Sequence, residues 1–124
     1  MLTDISSHKD IELLVNSFYA KAKIDPLLGH FFGPEMAIDW DTHLPIMCTF
    51  WDNALFHSGG YRGDMMGVHR QVHEHKTMHP SHFERWTTLF CQTVDELFEG
   101  ETANRAKQQA LNMAIMLQIK IPVF

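Results

Sequence analysis

The sequence predicts an all-α fold, and three observations carry that prediction. Apolar residues recur at helical steps of three and four along most of the chain. Breaks rich in Gly, Pro and Ser divide these runs into five substantial segments. No run of alternating apolar and polar residues suggests a strand, and there is no internal repeat or low-complexity linker. With 124 residues, 45% of them hydrophobic, the chain can build one core and is too short for two domains.

The first segment carries Ile11, Leu14, Val15, Phe18, Tyr19 and Ala22 on one stripe. Ser6 or Ser7 is placed to cap its start, and Asp25-Pro26 to end it. A short helical turn follows through Leu27, Leu28 and Phe31, and Gly33-Pro34 breaks the chain. A second helix is expected from about Asp39 to His57, with His43, Met47, Phe50, Trp51 and Ala54 on its apolar stripe. Pro45 is expected near its first turn, where a missing N–H costs little. Ser58-Gly59-Gly60 ends it, and Gly63 precedes a short helix from Met65 to about His75.

Pro80 or Ser81 then opens a long helix with Phe83, Trp86, Phe90, Val94 (or Thr93) and Leu97 inward. Glu99-Gly100 stops it. The last helix spans Glu101 to about Lys120, with Ala103, Ala106, Ala110, Met113, Ala114 and Leu117 inward; its small alanines permit close helix approach.

Composition excludes several functions. A net charge of -5 and the lack of any Lys/Arg run argue against a nucleic-acid partner. No apolar run reaches membrane-spanning length, and no basic stretch followed by an apolar core opens the chain, so a cytoplasmic protein is expected. Cys48 and Cys91 lie far apart and read as reduced core thiols. The unusual counts are nine His, eight Met and nine Phe. Such side chains permit a pocket that wraps a flat apolar ligand and also ligates a metal.

Three groups of histidines bear on chemistry. His43 sits inside an apolar stripe, so it must find a partner or stay neutral. His69 and His73 are one helical turn apart on one face, a spacing that suits a metal. Arg70 follows His69 where a catalytic zinc helix would carry Glu, which weakens the zinc reading; a neutral imidazole is equally the usual ligand of haem iron. The run His73, His75, His79 and His82 allows loose transition-metal binding, and a non-haem helical protein with such a site is the alternative reading. Tyr19 and Trp86 are inward aromatics whose O–H and N–H need partners.

Five blocks, in order, resemble the truncated haemoglobins, most closely their third group. They are Phe18-Tyr19; Leu28-Gly29 with Phe31-Phe32; Trp40 to Met47 with His43, Leu44 and Pro45 inside, leading to Phe50-Trp51; Tyr61-Arg62-Gly63 with His69; and His82-Phe83-Glu84-Arg85-Trp86 leading to Leu89-Phe90. The resemblance implies a two-over-two helical sandwich around haem b. It implies Tyr19, His43 and Trp86 as the polar groups facing a diatomic ligand (O2, CO or NO), at a penta- or hexa-coordinate iron. Phe32 packs on the porphyrin in that frame, Met47, Phe50 and Trp51 form the wall of the distal helix, and Met65, Met66 and Val68 surround the proximal side.

For the iron ligand, counting forward from His43 and Tyr61 assigns His69, whereas counting back from Trp86 assigns His73. His69 is preferred, because Met65 and Met66 then lie one turn before the ligand and offer apolar contact; His73 is the alternative. The resemblance is compatible with reversible gas binding and with turnover as an NO dioxygenase or peroxidase, the latter with a reductase as partner.

Overall fold

Ser7 opens the first helix, α1 (His8–Ala22), its hydroxyl accepting the Asp10 N–H. Ile11, Leu14, Val15, Phe18 and Ala22 are buried on one face, as the stripe predicted. In the computed structural model, which describes residues 1–61 and 63–121 (Arg62 and the side chain of His75 lie outside the described residues), the chain then turns at Asp25. The buried Asp25 carboxylate accepts the N–H groups of Leu27 and Leu28, each at 3.1 Å, and its other oxygen binds Arg85 Nε at 2.8 Å. Gly29 passes so close to the end of α1 that a Cβ there would lie 2.8 Å from the Lys23 carbonyl oxygen. Two 3-10 turns follow, Gly29–Phe32 and Pro34–Met36.

The second helix, α2 (Trp40–Phe56), begins after Asp39 and ends at His57, which takes the left-handed conformation at φ 56°. Because the helix starts at Trp40, Pro45 lies inside it rather than near its first turn. Pro45 supplies no N–H to the preceding turn, and both it and Asp41 are exposed, so water can satisfy the carbonyl left free. The fully buried residues of α2 are Cys48, Trp51 and Leu55. The remaining stripe residues, His43, Met47, Phe50 and Ala54, are only half-buried. Thus α2 has two apolar faces, and one of them is incompletely covered by protein.

Helix α3 (Met65–His75) is capped by Asp64, whose carboxylate accepts the Gly67 N–H at 3.0 Å. Helix α4 (Pro80–Leu97) starts with Pro80 in its first turn. Both Thr93 and Val94 are fully buried, since α4 packs against α1 on one side and α5 on the other. The Thr93 hydroxyl is satisfied within its own helix by the Leu89 carbonyl at 2.8 Å.

Gly100, at φ 146°, makes the turn into α5 (Glu101–Lys120). The N-terminal segment folds back to cap α5: Asp4 accepts the Thr102 and Ala103 N–H groups at 2.9 and 2.8 Å. All six residues predicted to face inward on α5 are buried.

The helices form two layers. α1 packs on α2, α4 packs on α5, and the pairs meet through α1 against α4 and α2 against α5. No such packing joins α3 to any other helix among the described residues. α3 touches the rest through side chains, with Met65 against the main core and Met66 against a smaller cluster of Phe83, Ala114, Leu117 and Ile121. The fold is all-helical among the described residues, and none of these helices is long and apolar enough to cross a membrane.

Candidate functional site

Between α2 and α4, and facing the detached α3, the structure gathers most of the residues singled out above. Tyr19 comes from the last turn of α1, where the stripe carries it toward α2. Its ring is met edge-on by three others: Phe32 at 5.8 Å, Trp40 at 5.5 Å and His43 at 5.4 Å between ring centres. Trp40 and His43 are one turn apart on α2 and also meet edge to face, at 5.4 Å. Lys23 closes the box from outside, its Nζ 3.8 Å from the centre of the Trp40 ring.

Phe18 links this box to α4, with edge contacts to Tyr19, Trp86 and Phe90. Trp86 is stacked on Phe90 at 5.5 Å, and Phe90 on Trp51 at 4.8 Å. Trp51 is therefore taken up by this core column, whereas Met47 and Phe50 lie on the half-covered face of α2. Phe50 also meets Tyr61 edge-on at 5.1 Å.

On α3, His69 Nδ1 lies 2.7 Å from the Met65 carbonyl oxygen. A carbonyl can only accept, so Nδ1 carries the proton. Nε2 of the neutral ring is then an unprotonated lone pair, with no hydrogen-bond partner among the described residues. Burial lowers the His69 pKa, which keeps the ring neutral; the bond to Met65 works in the other direction and is smaller. His43 is lowered first by burial and then by its charge interaction with His69.

His73 has the opposite polarity. Its Nδ1 accepts the Met78 N–H at 3.0 Å, which leaves the proton on Nε2. Val68 is 53% exposed and lies outside the cluster, while Met65 and Met66 are half-buried beside it.

Burial is the main cause that raises the Tyr19 pKa, with a smaller contribution from Cys48. Its hydroxyl thus stays protonated and is a donor at any physiological pH. Neither that hydroxyl nor the Trp86 indole N–H has a hydrogen-bond partner among the described residues, although no buried side-chain donor or acceptor atom there is left unsatisfied.

Among the described residues no three His, Cys, Asp or Glu side chains are grouped to hold an ion; of the histidine run, the His75 side chain lies outside the described residues. His82 Nδ1 is instead used by the His79 N–H at 2.9 Å. Three features were not assigned roles from the sequence. Trp40 could have been noticed by its one-turn spacing from His43. Lys23 and the Asp25–Arg85 tie carry no local signal, since their partners lie far along the chain.

No family model matches the sequence, and no curated protein matches it. Among solved structures the chain matches the crystal structure of the group III truncated hemoglobin from Campylobacter jejuni with a TM-score of 0.85 and 25% sequence identity, covering 98% of this chain and 95% of that one. The two-layer helical arrangement with its detached α3 is thus the truncated-haemoglobin fold, and the structural match of this chain is to a group III member of it.

Proposed function

We propose that the whole chain serves as one haem-binding globin domain, with haem b between α3 and the half-covered faces of α2 and α4, and His69 as the iron ligand. The observation that carries this reading is the His69 tautomer. Its Nδ1 proton is held by the Met65 carbonyl, and Nε2 presents a lone pair from a helix that packs closely on no other. The residues present fit the group. Met47, Phe50, Met65 and Met66 offer apolar contact, Phe32 adds an aromatic face, and the Tyr19 hydroxyl and Trp86 N–H have no hydrogen-bond partner among the described residues.

When bound, the haem would supply an iron able to take a diatomic gas (O2, CO or NO). This chain's own residues do the rest. Met65 orients the His69 ring and fixes its proton. Tyr19 holds its hydroxyl proton and donates, as does the Trp86 N–H, and such donors favour a ligand on which negative charge develops. His43, neutral and half-buried, borders the same space and is placed to add a donor. Turnover of NO or peroxide would use the same donors and an external reductase.

The test is the absorption spectrum of purified protein before and after adding haem. An intense Soret band whose intensity saturates at one haem per chain is expected. Its absence after reconstitution overturns the reading.

A further inference from the structure

On the outer side of the aromatic box, between α1 and α2, lies a cleft of about 370 Å³. Glu12 and Asn16 line it from α1, and Trp40, Leu44, Cys48 and Thr49 from α2. Trp40 is the one lining residue that also belongs to the box around Tyr19 and His43. Its indole is thus a partition, with the cleft on one side and the two polar groups on the other. His43 does not line the cleft.

The indole is held on its inner side by ring contacts with Tyr19, Phe32 and His43 and on its outer side by Lys23. Lys23 rests on the indole at 3.8 Å, but it is an exposed side chain at the C-cap of α1, where a cation–π contact is weak and rotamer exchange is fast. Trp40 is itself half-buried in the first turn of α2. Displacing its ring means breaking these side-chain contacts rather than moving a helix. The carboxylates of Glu12 and Asp41 at the cleft are indifferent to a neutral diatomic molecule and repel an anion.

We propose that Trp40, latched by Lys23, is a door through which neutral diatomic gases pass from the α1/α2 cleft to the ligand pocket without passing His43. The proposal rests on the haem-globin reading above. The test is CO rebinding after flash photolysis of the haem-loaded protein. Trp40→Leu is expected to raise the association rate several-fold. Lys23→Met raises it by less, and Lys23→Arg restores the wild-type rate. Thr49→Trp, which fills the cleft, lowers the rate several-fold. If Thr49→Trp leaves the rate unchanged and His43→Leu alone raises it, access runs past His43 and the door is wrong.

A second measurement needs no haem. With xenon dissolved in the apoprotein sample, the Leu44 methyl resonances are expected to shift in the wild type, and the Tyr19 ring resonances to shift as well only in Trp40→Leu. Equal Tyr19 responses in the two proteins would show that Trp40 separates nothing and overturn the proposal. A missing Soret band sinks the haem reading by itself, and the xenon result then decides the partition independently.

Discussion

His69 gives its Nδ1 proton to the carbonyl oxygen of Met65, one turn back on α3 and 2.7 Å away. Four residues on, His73 does the reverse and accepts the Met78 N–H. Two imidazoles on one helical face are thus in opposite tautomers, and only His69 exposes an unprotonated Nε2. His73 can present one only by giving up its bond to Met78. We expect His69→Ala to weaken haem binding by more than about 100-fold, since even groups that merely orient a metal ligand are worth about 10- to 100-fold. Added imidazole should partly restore the spectrum of His69→Gly. His73→Ala should keep the wild-type spectrum. The opposite pattern would make His73 the ligand.

Tyr19 and Trp86 are joined through the Phe18 ring, which meets both at its edges. They come from different helices, so they form two independent donors rather than one network. Each lost hydrogen bond to a ligand bearing partial charge is worth about 1.5 kcal/mol, or roughly tenfold in a rate. Tyr19→Phe and Trp86→Phe are each expected to raise the O2 dissociation rate about tenfold by stopped-flow, and the pair to act nearly additively. A rate unchanged in both single variants means that neither group faces the gas.

Asp25 ties α1 to α4. Arg85 binds one of its oxygens with two N–H groups and the backbone of Leu27 and Leu28 binds the other. The Arg85 hydrogen bonds hold the carboxyl below the ordinary carboxylate range, against the opposing effect of burial. The folded pKa is therefore below the unfolded one, and the stabilisation is present above about pH 4 and lost as pH falls through the folded pKa. Asp25→Asn should cost about 3 kcal/mol at pH 7, the lower end for breaking a buried pair, because Arg85 is partly exposed and screened. Its urea-unfolding free energy should also fall less steeply below pH 4 than that of the wild type. Equal acid slopes would mean that the pair does not titrate with folding.

Helices α1, α4 and α5 were legible because each buries a continuous stripe. On α5 every residue the stripe selected is buried, and on α4 both Thr93 and Val94 are covered because the helix is sandwiched. On α2 the stripe through His43, Met47 and Phe50 is the half-covered face; on the fully buried face Cys48 was expected as a core thiol and Trp51 as a stripe residue, while Leu55 went unread. Periodicity reports where apolar groups point and cannot tell protein from another apolar neighbour. The grouping of Tyr19, His43, Trp86 and His69 became legible only through the order of motifs. His69 and His73 differ in which backbone groups face their rings, and residue spacing does not carry that information. Trp40 and Lys23 meet through the way α1 closes on α2, so neither residue signals the other locally.

His82 places a titratable group in a capping position. It is buried in the first turn of α4, and its Nδ1 accepts the N–H of His79, as a Glu or Gln commonly does in a capping box. His30 and His79 lie within 5.5 Å of its ring centre, and the Glu35–Lys76 ion pair lies beyond His30. Burial, then the neighbouring His30 and His79, lower the His82 pKa. Protonation would put a hydrogen on the accepting nitrogen and abolish the cap. Because the folded pKa lies below the unfolded value of about 6.5, the unfolded state binds more protons in this window. The stabilisation is complete above about pH 6.5 and falls away as pH drops below it, well before the Asp25 window is reached. His82→Gln keeps a side-chain acceptor at that position without a titrating group. Urea unfolding should therefore show a larger loss between pH 7 and pH 5 in the wild type than in His82→Gln, by about 1 kcal/mol, the usual worth of a cap, while the buried His43 and His69 give both proteins a common slope. If both proteins lose stability equally over that range, His82 is not the group that titrates.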